Sequence, residues 1–181
     1  MSIERKGGEA VFEKVTQMAK DVLMRDGFHS PTLIAIGDIS SHATQIGGTP
    51  TTHAERASMM KVIGYAFALE QSLGSLHQVI MVTEGWAATP NEEGEITTTP
   101  SKDPNRKEVL VISMLDLVEE RTQIGIYDMR RDTDGKLTGL EKWEPVADGL
   151  EERAYLLEYF VEGYTKARAS KRATNGKQTP R

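Results

Sequence analysis

The sequence predicts one α+β domain, in which an antiparallel β-sheet of four to six strands packs against about three α-helices. Three observations carry this prediction. The segment from Gln78 to Leu117 holds two long apolar runs on either side of a polar loop, which is typical of strands that fold back on each other. The connections that follow are short, and short connections make neighbouring strands antiparallel. Three other segments repeat apolar residues at the spacing of amphipathic helices.

The helices are predicted from apolar stripes with spacings of three and four residues. The first runs from Glu9 to Arg25, and Gly27 is placed to act as its C-cap. The second runs from Thr52 to Leu73 and begins with Thr52-His53-Ala54-Glu55, which fits a capping box. The third begins near Leu150 and ends at about Arg168. Three further apolar residues widen the stripe of the second helix: Val62, Tyr65 and Leu69.

Six segments are predicted as strands, because they are rich in apolar and β-branched residues and are bounded by turn residues. The second segment fits a loop equally well, since it is mostly polar. Val79–Val82 and Val109–Ile112 are apolar on both faces, which predicts central strands covered on both sides. Asp132-Thr133-Asp134-Gly135 predicts a hairpin turn. The six segments are Thr32–Ile36, Ile39–Ile46, His77–Ala88, Lys107–Leu117, Thr122–Arg131 and Leu137–Val146.

The composition is that of a globular protein, with 38% hydrophobic and 27% charged residues in a chain of 181. We predict that residues 1–169 form the single domain. Residues 170–181 are predicted to be a basic, disordered tail, because they are small, polar and without an apolar anchor. Residues 166–181 hold six basic residues and no acidic one, so the other 165 residues carry 16 basic and 27 acidic residues. This acidic body argues against a nucleic-acid-binding face.

The absence of cysteine excludes several chemistries at once. Without a cysteine the chain has no disulfide, thiolate nucleophile, cysteine-ligated zinc or iron–sulfur cluster. Residues 1–8 lack the apolar stretch of a signal peptide, and no apolar run is long enough to span a membrane. We therefore expect a cytoplasmic protein with no membrane partner. No phosphate-binding or dinucleotide-binding motif is present, and we predict no cofactor.

The densest group of candidate site residues lies where the Gln78–Leu117 hairpin ends. Glu84 and Trp86 stand at the end of an apolar strand, where an acid beside a large aromatic ring can hold a raised pKa and do acid–base work. The turn-rich segment 100–108 could add a rim that binds phosphate or carboxylate through Arg106. In the structural alternative, Trp86 caps the core and Glu84 pairs with Arg106 or Lys107. The candidate polar cluster is Glu84, Trp86, Ser101, Asp103, Arg106 and Glu108.

Glu84-Gly85-Trp86, followed by Pro100-Ser101-x-Asp103-Pro104-x-Arg106-x-Glu108, resembles a group of uncharacterised bacterial or phage-type proteins. In that group a strand ending in E-x-W precedes a P-S-x-D-P-x-R-x-E segment and a β-hairpin. The resemblance covers about the middle third of the chain and implies no activity. It implies that the six residues of the candidate polar cluster lie together in space.

The histidines suggest two further sites, and neither is favoured. His53-Ala54-Glu55 matches the triplet that opens the zinc helix of cytidine-type deaminases, but those enzymes also need a P-C-x-x-C motif that this chain lacks. His42 and His53 with Glu55 form a weaker metal-binding alternative, although nothing in the predicted fold brings them together. Ser40 and Ser41 beside His42 lack the G-x-S-x-G context of serine hydrolases. We predict no metal.

These observations lead to three functional hypotheses. The first is a non-catalytic cytoplasmic domain that acts through binding or self-association, since two-sided apolar strands and eight methionines permit a homo-oligomer interface. The second is a small enzyme or ligand-binding domain that uses Glu84, Asp103 and Arg106 at one end of the hairpin. The third is nucleic-acid binding through the basic tail.

Overall fold

The chain folds into one six-stranded antiparallel sheet and three helices in the computed structural model, which describes residues 7–48, 50–70, 72–89, 91, 97–100, 102–143 and 154–175. For residues 172–175 the description covers the backbone only. The elements are α1 (Gly8–Asp26), β1 (Thr32–Gly37), β2 (Ser41–Gln45), α2 (His53–Glu70), β3 (Leu76–Ala87), β4 (Lys107–Asp116), β5 (Arg121–Arg131), β6 (Leu137–Lys142) and α3 (Tyr155–Asn175).

The strand order in the sheet is β2-β1-β3-β4-β5-β6, and every neighbouring pair is antiparallel. This confirms the α+β prediction and the long hairpin, in which Gln78 lies opposite Asp116 and Trp86 lies opposite Glu108. The polar second segment is a strand, because it pairs with β1 from Ser41 to Gln45. Strand β5 lies next to the edge strand β6.

The helices cover both faces of the sheet and form two apolar cores. Helices α2 and α3 pack on one face, where Met60 and Phe160 meet Leu33 and Val79 of the central strands. Helix α1 packs on the other face, where Leu23 lies among side chains of β3, β4 and β5. Successive residues of β3 alternate between these two cores, so Val79–Val82 is buried on both faces.

The helix ends follow the predicted capping chemistry at two places. Gly27 adopts a left-handed conformation with φ of 78°, and its N–H donates to the carbonyl of Leu23 at 2.8 Å. At the start of α2, the Glu55 N–H donates to the Thr52 hydroxyl oxygen at 3.3 Å, and the Thr52 N–H donates to the Glu55 carboxylate at 3.3 Å. This is the reciprocal capping box that the sequence predicts. The predicted third helix start near Leu150 lies outside the described residues.

Helix α3 continues to Asn175, beyond the predicted end at about Arg168. Ala167 is buried against the core, and Lys171 donates from its amine to the carbonyl of Leu69 at 3.5 Å, so α2 supports the extra turns. Residues 170–175 of the predicted tail are therefore helical, whereas residues 176–181 lie outside the described part of the chain. Among the helices described, none is both long and apolar enough to cross a membrane.

Helices α2 and α3 run in the same direction and cross with their backbones in contact. His53 lies beside Tyr159, Lys61 pairs with Glu162, and Leu69 meets Lys171, so the contacts advance in step along both helices. Gly64 and Gly163 form the crossing. A Cβ atom on Gly64 would lie 2.0 Å from the Phe160 carbonyl oxygen, and one on Gly163 would lie 2.0 Å from the Lys61 carbonyl oxygen. Only glycine permits this separation.

Candidate functional site

The end of the β3–β4 hairpin brings four of the six candidate residues to one place. Side chains alternate along a strand, so Glu84 and Trp86 point to the same face as Ile80 and Val82, which is the face that α1 covers. Glu108 of β4 lies directly opposite Trp86. Arg106, just before β4, places its guanidinium over the Trp86 ring. We call these four residues, together with Arg131, the hairpin end.

Glu84 holds the loop that joins α1 to β1. Its carboxylate accepts a hydrogen bond from the backbone N–H of His29, and this replaces the predicted ion pair with Arg106 or Lys107. Strand alternation separates Glu84 from Lys107, because Lys107 lies opposite Ala87 and therefore points to the other face of the sheet. There Lys107 pairs with Asp128 at 3.4 Å.

Glu108 forms a two-point ion pair with Arg131 of β5. The Nε of Arg131 donates to Oε2 of Glu108 at 2.6 Å, and Nη2 donates to Oε1 at 3.0 Å. The Nη2 group also donates to the carbonyl of Gly27 at 3.3 Å, which ties the C-terminus of α1 to the sheet. The hydrogen bond with Glu108, followed by the charges of Glu108 and Glu84, raises the pKa of Arg131 against the lowering effect of burial.

Trp86 and Arg106 form the exposed part of the hairpin end. The Trp86 side chain is 52% exposed, and the guanidinium carbon of Arg106 lies 4.6 Å from its ring centre. Phe28, which is 61% exposed, immediately precedes the residue that Glu84 binds. A large aromatic ring stacked by an arginine and left open to solvent is typical of the residues that anchor binding interfaces.

Asp103 is a structural acid of the turn rather than a part of the ion-pair network. It is 7% exposed, and its two carboxylate oxygens accept the backbone N–H groups of Thr89 and Asn105, each at 2.7 Å. Glu84, Trp86, Arg106 and Glu108 therefore lie together, while Asp103 braces the loop behind them. Ser101 lies outside the described residues.

The three carboxylates of the candidate cluster are all engaged inside the fold. Glu84 accepts from His29, Asp103 from two backbone N–H groups, and Glu108 from Arg131. A general base or nucleophile must be able to reach a substrate, whereas these carboxylates hold backbone N–H groups and Arg131. What the hairpin end presents to solvent is the Trp86–Arg106 pair.

The alternative metal set of His42, His53 and Glu55 is not assembled. The ring centre of His42 lies 6.5 Å from that of Phe67 in an edge-on contact, whereas the ring centre of His53 lies 5.9 Å from that of Tyr159. Glu55 is used by the capping box of α2. Within the residues that the structure describes, no three histidine, aspartate or glutamate side chains lie close enough to hold a metal ion.

A second surface stands out on the outer side of α2. Val62, Tyr65 and Leu69 are 67%, 45% and 48% exposed. They follow one another at spacings of three and four, so they form one stripe along the helix, with Ala66 between them and Ser58 one turn before them. The opposite side of α2 is buried through Ala57, Met60, Gly64 and Ala68. We call the exposed residues the α2 stripe.

Sequence reasoning missed Arg131 and His29, and it did not separate the outer side of α2 from its inner side. The four-residue turn after β4 could have indicated Arg131, because it fixes a register in which Glu108 lies diagonally across from Arg131. The contact of His29 depends on where α1 ends in space, for which the sequence holds no local signal.

Comparisons with protein-family models, with curated proteins and with solved structures found no match to this chain. The site must therefore be interpreted from its own geometry.

Proposed function

We propose that this protein is a non-catalytic domain that acts through self-association, and that the α2 stripe is its contact surface. The observation that carries the proposal is the exposure of Val62, Tyr65 and Leu69 on a helix whose other side is already core. A helix that is apolar around its circumference is usually buried on all sides. Exposed apolar patches of this kind mark interaction sites, and a second molecule would cover the outer side of α2.

A second copy of the same chain fits this stripe because each end of the stripe carries both signs of charge. Glu55 and Arg56 lie at the N-terminal end of α2, while Glu70 lies at its C-terminal end with Lys171 of α3 beside it. A twofold axis perpendicular to α2 pairs the two α2 helices in opposite directions, so the N-terminal end of one copy meets the C-terminal end of the other. Acidic and basic groups then face each other at both ends, with the apolar residues between them.

The hairpin end supports a non-catalytic function. Glu84 holds the α1–β1 loop and Glu108 holds β5, while Asp103 behind them holds the hairpin loop, which is the work of structural groups. We therefore expect substitutions at Glu84 and Glu108 to lower stability without changing the association state.

Light scattering coupled to size exclusion tests the proposal. The wild-type chain should have twice the mass of one 20.0 kDa chain, and Val62→Glu and Leu69→Glu should each return it to the single-chain mass. A charge placed in an apolar contact is left desolvated, so these variants should dissociate. Val118→Glu is the matched control, because Val118 is 58% exposed on the turn after β4 and lies outside the stripe. A monomeric wild type, or a dimer that survives both substitutions, would refute the proposal.

A second candidate function is ligand binding at the hairpin end, and the exposed Trp86–Arg106 pair favours it. The Trp86 ring can stack on a planar group of a ligand, and the Arg106 guanidinium can bind an anionic group of the same ligand. A thermal-shift screen of nucleotides and small anions should then give a stabilising compound. Trp86→Ala and Arg106→Ala should each abolish that shift, while Val118→Ala should leave it unchanged. A shift that persists in both variants would place the ligand elsewhere.

A further inference from the structure

A groove lies between the middle of α3, the start of β3 and the turn after β4. Its volume is about 280 Å³. It is separate from the two surfaces described above, because it lies at the opposite end of β3 from Trp86 and on the helix that neighbours α2. Its walls are mostly apolar, and its polar groups come from one side of α3 and from Ser75. The lining residues are Ser75, Leu76, Leu117, Val161, Tyr164, Thr165, Arg168 and Ala169.

Arg168 is the residue that gives this groove a chemical preference. Its side chain is partly buried, yet within the described part of the chain it makes no hydrogen bond and no ion pair. Its neighbours on α3 differ in this respect, since Lys166 pairs with Glu162 at 2.6 Å and Lys171 donates to Leu69. The charge of Arg168 acts on Tyr164, whose phenol donates to the Gly74 carbonyl at 2.8 Å. A guanidinium in this setting is suited to a planar anion that can accept two hydrogen bonds.

The other residues that line the groove indicate which class of anion it would bind. Leu76, Leu117 and Val161 offer apolar surface to the body of a ligand, and Ser75 and Thr165 add hydroxyl groups to the lining. The volume holds about nine groups the size of a water molecule. A single arginine matches one negative charge, and the apolar walls match a hydrocarbon chain rather than a second polar group.

We propose that this groove binds a small monocarboxylate with an apolar chain of about six to eight carbons. The carboxylate accepts hydrogen bonds from Arg168, and the chain lies against Leu76, Leu117 and Val161. The proposal does not depend on self-association, because no residue of the groove belongs to the α2 stripe.

Titration of the full-length protein with octanoate, followed by the methyl NMR signals of Leu76, Leu117 and Val161, tests this proposal. The signals should shift saturably, and Arg168→Gln should weaken binding about tenfold. Arg121→Gln is the matched control, because Arg121 is an exposed arginine whose ion-pair partner is Glu9 on α1. It should leave octanoate binding unchanged. Octanamide, which has the same chain without the charge, should bind about tenfold more weakly to the wild type.

A second variant keeps the test decisive if Arg168→Gln is poorly folded. Ala169 is exposed at the edge of the groove, so Ala169→Trp should fill the groove and block octanoate while leaving Arg168 in place. Binding that is unchanged in Ala169→Trp would overturn the proposal, as would the absence of any saturable shift in the wild type. Equal binding of octanoate and octanamide would also overturn it, because the charge would then have no role. Displacement of octanoate by an equal concentration of inorganic phosphate would show a site for any anion and exclude a carboxylate-specific one.

Discussion

Replacing Gly64 with alanine tests whether α2 and α3 are held in backbone contact. The new Cβ atom would lie 2.0 Å from the carbonyl oxygen of Phe160 and 3.0 Å from the backbone nitrogen of Tyr164. Both are backbone atoms of a helix and cannot turn aside, so the two helices must separate by about 1 Å or more. Gly163→Ala makes the same test from the other helix, against the carbonyl oxygen of Lys61.

Two effects of opposite sign determine how much Gly64→Ala changes the free energy of unfolding. Alanine in place of glycine within a helix stabilises it by about 0.5–1 kcal/mol, because the unfolded chain loses freedom. Overpacking a close contact destabilises by about 1–3 kcal/mol, and separating the helices also loosens the packing of Phe160 and Leu157, which are fully buried. The structure therefore predicts a net loss of about 1–2 kcal/mol for Gly64→Ala. The double variant should lose less than twice this value, because the first substitution already separates the helices.

Urea unfolding followed by circular dichroism measures the effect. It should be repeated at several protein concentrations, since self-association would add a concentration-dependent term. Gly139→Ala on β6 is the control, because a Cβ atom there meets no other atom within 4 Å. If Gly64→Ala were as stable as the wild type or more stable, helix propensity would outweigh the contact and the described crossing would be wrong.

Three further predictions concern the hairpin end, the loop that Asp103 braces and the groove. Arg131→Met removes the ion pair with Glu108 and the hydrogen bond to the Gly27 carbonyl of α1, so it should lower the free energy of unfolding by about 1–2 kcal/mol. An unchanged unfolding midpoint in urea would show that these contacts do not contribute to stability. Asp103→Ala leaves two loop N–H groups without their acceptor, so it should cost about 1–3 kcal/mol in the same assay, and a neutral result would contradict the bracing role. Burial raises the pKa of Tyr164 above its ordinary value of 10.0, so its contribution to stability is complete below that pH and is lost as the pH rises through the raised value. Unfolding measured across about pH 9 to 11 should show a smaller alkaline loss for Tyr164→Phe than for the wild type, and equal losses would rule this account out.

The sheet could be predicted from the sequence because its signals are local. The apolar runs around Val79 and Val109, the short turn after Leu117 and the Asp132–Gly135 hairpin each fix a strand or a connection without reference to the rest of the chain. The two-sided burial of β3 also follows from its composition, since it has no polar face between Val79 and Val82.

The buried side of α2 could not be predicted, because the helix is apolar nearly all round. The sequence places Met59, Ile63, Ala66 and Phe67 on the inner stripe, whereas the structure buries a line through Met60 and Gly64 most deeply. The reason is the crossing with α3, where Gly64 must face inward for the two backbones to meet. A glycine in a helix gives no sign of this in the sequence, where it counts only as a weak helix former.

The hairpin end could be predicted in part. Glu84, Trp86, Arg106 and Glu108 are close in the chain or across one hairpin, so strand pairing alone brings them together. The partners that occupy the carboxylates come from the α1–β1 loop and from β5, and their positions depend on how α1 packs on the sheet. Sequence reasoning therefore found the residues of the hairpin end but not these partners.

An isotope-filtered NOE spectrum of a sample that mixes labelled and unlabelled chains tests the central claim most directly. Such a spectrum detects only contacts between different molecules. If two copies meet through the α2 stripe, cross-peaks should join the methyl groups of Val62 and Leu69 in the labelled chain to the Tyr65 ring of the unlabelled chain. Cross-peaks between molecules that involve Trp86 and none of these three residues, or no cross-peaks at all, would contradict the account.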